Sequence, residues 1–387
     1  MNRDERQKIG LNKWQSFNYQ GIACYPTGFG KTYTAIRAIK GMIKRKNIQS
    51  VEVIVPTLEL QKQWNKELKT HKITIAKVTV INTAIKQDRE VDFLILDEIH
   101  RYAAETFKNI FSRSDYKYVL GLTATLERED GLHDIILKYV DVFDTITVKE
   151  ALKNEWISQY KIFNVAVDLP SDELAAYKKA DNSFRYFASQ MGYGGMAKAQ
   201  EWMRSGDASK AGKAAAYYNS MRTRKKICLN NSAKVGAVKQ IIELFPDRNG
   251  LIFSATTEFA EQLQEQLGDI SMTFHSKLTK KDQDNVIKRF KDKRTKVRVL
   301  SSVKALNEGF NVPDASLGVV AGSNSTKRTF IQQLGRVVRY QEDKIAIFIN
   351  LYSPGTQEES WLKKKLEGIE KTTIYQVSLS EFINQYK

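Results

Sequence analysis

The chain has 387 residues, 42% hydrophobic and 27% charged, which places it among soluble globular chains with room for two or three domains. No run approaches the roughly 18 apolar residues a membrane span needs. Basic residues outnumber acidic ones 61 to 44, and the net charge of +17 points to a polyanionic partner. Cys24 and Cys228, the two cysteines, cannot build a disulfide framework or a four-cysteine zinc site, and the charged start MNRDERQKIG lacks the apolar core of a secretory signal. A reducing compartment is expected, the cytoplasm of a prokaryotic or phage-infected cell or a nucleus, and not secretion.

Apolar, β-branched runs alternate with helical patterns from the start. Residues 21–25, 51–55, 73–81, 93–96 and 118–122 read as strands, with helices over 32–45 and 58–70. A joint near 149–159 leads to a second set. There, strands are expected over 160–167, 251–254, 272–274, 297–301, 317–320 and 345–350, with helices over 233–244, 258–267, 280–290 and 327–338. The alternation predicts two α/β domains with parallel sheets, 1–150 and 151–387. Residues 171–231 carry no strand signal. They hold Tyr177, Phe184, Tyr186, Phe187, Tyr193, Trp202, Tyr217 and Tyr218 and end in the basic cluster Arg222, Arg224, Lys225, Lys226. They read as a helical insertion whose aromatics mostly form its own core and whose basic cluster is a candidate for phosphate contact.

Between the first strand and first helix stands Pro26-Thr27-Gly28-Phe29-Gly30-Lys31-Thr32. Glycines 28 and 30 permit the tight turn that aims backbone N–H groups at phosphate oxygens, and the following helix adds its positive end. Lys31 would reach the outer phosphates and Thr32 would hold Mg²⁺. The general pattern asks for glycine five residues before Gly30, where Tyr25 stands. Asp97-Glu98-Ile99-His100 closes the apolar run 93–96, presenting two carboxylates at a strand's C-terminal end. Asp97 would position Mg²⁺ and Glu98 would orient or deprotonate an attacking water. His100 either couples this site to its neighbours or is a satisfied polar contact. On the helix expected over 327–338, Gln332-Gln333-Leu334-Gly335-Arg336-Val337-Val338-Arg339 places Arg336 and Arg339 on one face, suited to an anionic target.

Together these motifs resemble superfamily 2 helicases and translocases over nearly the whole chain. The resemblance implies two RecA-like domains, ATP and Mg²⁺ as cofactors, and ATP bound between the domains. It makes Gln15, in Leu11-Asn12-Lys13-Trp14-Gln15, the adenine reader, and Thr27, Gly28, Phe29, Gly30, Lys31 and Thr32 the phosphate cradle. Thr57 and Thr83 would touch the nucleic-acid backbone. Thr123 and Thr125 of Leu122-Thr-Ala-Thr, with His100 and Gln332, would couple hydrolysis to movement. Gly309 and Asn311 of Glu308-Gly309-Phe310-Asn311-Val312-Pro313 would face the nucleotide, with Asn311 standing where an aspartate is usual. Arg128-Glu129-Asp130 resembles the Arg-Glu-Asp motif of the XPB branch, which includes phage UvsW-type DNA helicases, and 171–231 matches that branch's thumb-like insertion. The branch implies a monomeric 3′–5′ motor on forked, branched or duplex DNA in repair, recombination or replication, with a nuclease or repair protein as a possible partner. An RNA helicase, or the motor subunit of a restriction or nuclease complex, is the alternative.

Overall fold

The computed structural model describes residues 1–103, 106–107, 109–126, 131–192, 194–303, 315–322, 327–338, 345–367, 369 and 373–387. These group into two compact units, one built on 1–160 with 315, 331–338 and 345–346, the other on the remainder. The first unit runs α1 (Arg3–Ser16), β1 (Gln20–Cys24), α2 (Lys31–Lys46), β2 (Val51–Val55), α3 (Leu58–Thr70), β3 (Ala76–Val80), α4 (Ile81–Ala84), β4 (Arg89–Asp97), α5 (Asn109–Ser112), β5 (Ser114–Thr123), α6 (His133–Leu137), β6 (Val142–Thr145) and α7 (Val148–Lys153). Its six strands are parallel, in the order β3-β2-β4-β5-β1-β6. β2 is buried along its whole length, as a strand covered on both faces must be.

The second unit runs β7 (Tyr160–Ala166), α8 (Ser171–Met191), α9 (Gly195–Arg204), α10 (Ala208–Leu229), α11 (Ala233–Leu244), β8 (Gly250–Ser254), α12 (Thr257–Leu267), β9 (Ser271–Phe274), α13 (Lys280–Lys291), β10 (Val299–Val303), β11 (Leu317–Val320), α14 (Lys327–Val337), β12 (Ala346–Tyr352), α15 (Gln357–Leu366), β13 (Ile374–Ser378) and α16 (Leu379–Tyr386). α14 begins here and ends among residues grouped with the first unit. The strand order is β13-β7-β12-β11-β8-β10-β9, and the pairs of known register are parallel. This is the two-sheet α/β architecture expected from the alternation. α8, α9 and α10 form the expected helical insertion. Met191, Ala199, Ala214 and Tyr217 make its core, with Phe184, Phe187, Trp202 and Tyr218 packed against them, while Tyr186 is exposed and Tyr177 packs with Leu169 and Cys228. At its base, Lys234 is fully buried and both Glu358 carboxylate oxygens accept from its ammonium at 2.8 and 2.7 Å.

Two of the elements without a clear sequence signal, β6 and α1, bear on the site. β6 is four residues long and includes an aspartate. α1 buries Arg6, Gln7, Gly10 and Trp14, so its inner face is mostly polar and gives no apolar periodicity. Its start is marked instead by a capping box between Asn2 and Glu5. The reason for the polar face is Asp144 in β6. That carboxylate accepts from Arg6 Nη1 and Nη2 at 2.7 and 2.9 Å, from Lys13 Nζ at 2.7 Å and from the Tyr25 hydroxyl at 2.8 Å. Burial opposes its charge, yet these donors hold the Asp144 carboxyl below the usual carboxylate range. Gly10 completes the arrangement, because a Cβ there would collide with the Tyr25 hydroxyl.

Asp144→Asn should therefore destabilise the protein by roughly 3–5 kcal/mol, the cost of stranding buried Arg6, measured as a lower midpoint in urea unfolding. A second expectation concerns pH. Burial, with the charge of Lys234 nearby, pushes the Lys365 ammonium down to about 8 from 10.5. Between those two values the unfolded chain holds the proton that the folded one has lost, so this residue's penalty fades as pH rises. Lys365→Met should raise stability by up to about 3 kcal/mol near pH 7 and by little near pH 10.5, read from paired denaturation curves.

Candidate functional site

The phosphate loop is hung from the core by aromatic residues. Tyr25, at the position where a glycine is usual, is fully buried, and its N–H donates to Thr123 O at 2.9 Å. Phe29 is also fully buried, edge-on to Tyr25 and Trp156 at 5.1 and 5.8 Å between centroids, so its ring anchors the loop. Gly28 and Gly30 have φ of +90° and +95°, a region that glycine enters without strain. Gly30 caps α2, which puts Lys31 and Thr32 in its first turn. Lys31 Nζ lies 3.3 Å from Tyr25 O, across the loop it would serve. Thr27 borders Gly335, which groups with this unit, and a Cβ at Gly335 would collide with the Thr27 side chain.

The structure does not bring Gln15 to this loop. Gln15 is exposed, and its Oε1 accepts from Arg45 at 3.1 Å. The glutamine at the loop is Gln7, which is buried and donates through Nε2 to Phe29 O at 3.1 Å, with Gly30 O at 3.5 Å. Its Oε1 accepts from Arg37 Nη1 at 3.3 Å, and Arg37 is held by Asp4 at 2.6 Å. Gln7 carries no apolar-periodicity signal because the buried face of α1 is itself polar.

Asp97 ends β4. Its Oδ2 accepts from the indole Nε1 of buried Trp64 at 2.8 Å and its Oδ1 from the Glu98 N–H at 3.0 Å. The Tyr102 hydroxyl sits between Ile54 O and Asp97 O, at 2.9 and 2.8 Å, pinning the ends of β2 and β4 together. Burial first, then the charge of Glu98, pushes the Asp97 carboxyl above its ordinary value, while Trp64 and Lys31 pull it back. Glu98 adopts φ of +51°, which costs a residue with a Cβ about 1–2 kcal/mol and turns its side chain out of the strand's direction. The chemistry of the donors suits Mg²⁺. Thr32 and Asp97 offer hard oxygens, and no group of three His, Cys, Asp or Glu side chains able to hold a metal occurs among the described residues. A cation that keeps water and phosphate oxygens in its shell needs few protein ligands.

His100 follows in a 3₁₀ turn over Ile99–Ala103 and is buried. Its Nδ1 is 2.8 Å from Thr123 Oγ1 and 3.4 Å from Glu98 Oε2. The Thr123 hydroxyl gives its only proton to Thr125 O at 2.7 Å, so it accepts from His100 and Nδ1 carries a proton. His100 thus touches both Glu98 and Thr123, whose hydroxyl in turn reaches Thr125.

Thr57 caps α3, its Oγ1 accepting from Leu60 N at 3.3 Å, and Thr83 is exposed in α4. Both follow the C-terminal ends of strands in the sheet that carries Asp97. In the insertion, Arg222 and Lys226 are exposed and Lys225 is half-buried. Arg224 differs. Its Nε lies 2.7 Å from Asp181 Oδ1 and its guanidinium 4.2 Å from the Phe184 ring centroid, with the side chain 11% exposed. It is committed to the bundle, so it is not a surface phosphate contact. Gln332 and Arg336 are half-buried in α14. Arg128, Gly309, Asn311 and Arg339 lie outside the described residues.

Comparison with known proteins gives matching results in both halves. Residues 4–91 and 69–128 match the family described as Type III restriction enzyme, res subunit, and residues 233–341 match the Helicase conserved C-terminal domain. The DNA 3'-5' translocase XPB2 of Sulfurisphaera tokodaii is 27% identical over 90% of this chain and 81% of its own length. The DNA 3'-5' helicase XPB of Mycobacterium tuberculosis is 22% identical over 88% of this chain, which spans 61% of that relative. The Pyrococcus furiosus Hef helicase domain has the same fold, with a TM-score of 0.62 at 15% identity over 94% of this chain and 99% of its own.

Gln7→Ala should weaken nucleotide binding about tenfold, the scale of one lost buried hydrogen bond, while Gln15→Ala should leave it within about twofold. Titration with a fluorescent ATP analogue measures both.

Proposed function

We propose that this chain, a helicase of superfamily 2 with XPB-type proteins among its relatives, is an ATP-driven motor that moves 3′ to 5′ on DNA and separates its strands. One observation carries the reading. The glycine-rich loop, the Asp97-Glu98 pair and the threonines at positions 57 and 83 all follow C-terminal strand ends of one parallel sheet, where such folds bind ligands. No helix among the described residues is long and apolar enough to cross a membrane.

The residues divide the work. Backbone N–H groups around Gly28 and Gly30, with Lys31, hold the phosphates of ATP, and Gln7 braces the loop's carbonyls. Thr32 and Asp97 would hold Mg²⁺, which would supply positive charge at the outer phosphates. Glu98 orients the attacking water and accepts its proton. Arg336 and Arg339 supply cations that stabilise the γ-phosphate charge as it develops. His100 passes the state of Glu98 to Thr123 and Thr125. Thr57 and Thr83 would grip the DNA backbone, and Arg222, Lys225 and Lys226 of the insertion would add phosphate contacts. Contacts to phosphates carry no base information, so sequence preference should be slight. Forked or branched DNA met in repair, recombination or replication, acted on by a monomer, suits such a motor.

Lys31→Ala should abolish ATP turnover while leaving DNA binding within about twofold, and Glu98→Gln should bind ATP yet slow its hydrolysis about 10²–10⁴-fold. Phosphate release and nucleotide binding, measured side by side, check both. ATPase and unwinding should then be compared on single strands, duplex, forks, four-way junctions and RNA. Stimulation by RNA and not DNA would replace the DNA reading with an RNA helicase. Translocation without strand separation, alongside a stable nuclease partner, would make the chain a nuclease-complex motor.

A further inference from the structure

The shortest hydrogen bond to the Asp97 carboxylate comes from a different element, α3. Trp64 is fully buried, and its indole N–H reaches Asp97 Oδ2 at 2.8 Å. An indole in a core needs one acceptor, and here that acceptor is the carboxylate assigned to Mg²⁺. With Oδ1 taking the Glu98 N–H at 3.0 Å, both carboxylate oxygens are tethered, so a small movement of the indole must rotate the carboxylate.

α3 also carries Thr57 at its cap. Thr57, Leu60, Gln61 and Trp64 stand at positions i, i+3, i+4 and i+7, one face of the helix, and Thr57 lies about 10 Å from Trp64 along the axis. Between them Gln61 Nε2 donates to Val78 O at 2.7 Å. The helix is thereby fastened to β3 on one side and to the end of β4 on the other, with β2 between them in the sheet. A shift of its first turn has little slack in which to be absorbed before Trp64.

We propose that Trp64 is a positioning residue through which DNA gripped at Thr57 sets the orientation of the Asp97 carboxylate, and with it Mg²⁺ binding and the rate of ATP turnover. This rests on the motor reading above. It adds a physical route by which the polymer accelerates hydrolysis, within a single sheet and a single helix.

The test uses the full chain, labelled with ¹⁵N at its tryptophan indoles. Trp64→Phe, which keeps an aromatic side chain and removes the donor, identifies the Trp64 resonance by its loss. Adding single-stranded DNA without nucleotide should move that resonance, and Thr57→Val should abolish the movement. Trp64→Phe should raise the Mg²⁺ concentration at half-maximal nucleotide binding about tenfold, the scale of one hydrogen bond to a charged group. It should also cut the factor by which DNA stimulates ATPase by at least about fivefold, with basal turnover falling less. A Trp64 resonance that ignores DNA in the native protein overturns the relay. So does a variant with the native stimulation factor, or one whose basal and stimulated rates fall in equal proportion. If the native ATPase is not stimulated by any DNA, the motor reading fails first; if it is stimulated and Trp64 is silent, only the relay fails.

Discussion

A carboxylate almost wholly removed from water, Asp144, is the constraint around which the first unit is assembled. A buried charge of this kind is tolerable only when every side of it meets a donor. Here the donors come from α1 and from the end of β1, so satisfying one side chain fixes the N-terminal helix, an edge strand and the base of the phosphate loop together. Two further features follow. Gly10 must be a glycine because the Tyr25 hydroxyl occupies the space a side chain would take, and Gln7, one position after Arg6, is carried to the loop it braces. Tyr25 stands where a phosphate loop of this type ordinarily has glycine. The loop compensates by fastening its first residue to the core and leaving its turn to Gly28 and Gly30.

The chemistry depends equally on the sheet order. β5 lies between β4 and β1, so the end of β5 sits between the acidic pair and the glycine-rich loop. Thr123, its last residue, meets both: its carbonyl accepts from Tyr25 N and its hydroxyl from His100. A parallel sheet places all these strand ends on one edge without further design, and short loops then supply the side chains. Tyr102 and Trp64 both tether Asp97, one through its backbone carbonyl and the other through its carboxylate.

Much of this was readable before any coordinates. The alternation of apolar runs and amphipathic segments gave both parallel sheets, and the aromatic stretch without strand signal proved to be a self-contained helical bundle. Lys31, Thr32, Asp97 and Glu98 declare themselves because a turn of glycines and a pair of carboxylates are local signals. Gln7 did not, because its meaning comes from a helix whose buried face is polar, and periodicity sees only apolar faces. Arg224 misled for the converse reason. A cation in a basic cluster looks like a surface charge until Asp181, 43 positions away in sequence, is found beside it. Trp64 reads as an ordinary core residue on α3, and nothing in sequence says that its one polar atom points at a carboxylate.

Glu98 shows where folding and chemistry part company. Its left-handed backbone is comfortable for glycine and uncomfortable for glutamate. A chain selected only for robustness would not keep a branched-off carboxylate at that turn. Asp97 and His100 both touch Glu98, at 3.0 Å through its N–H and at 3.4 Å through its carboxylate. The strand therefore ends in a turn that costs about 1–2 kcal/mol on its own, kept where its neighbours' contacts converge.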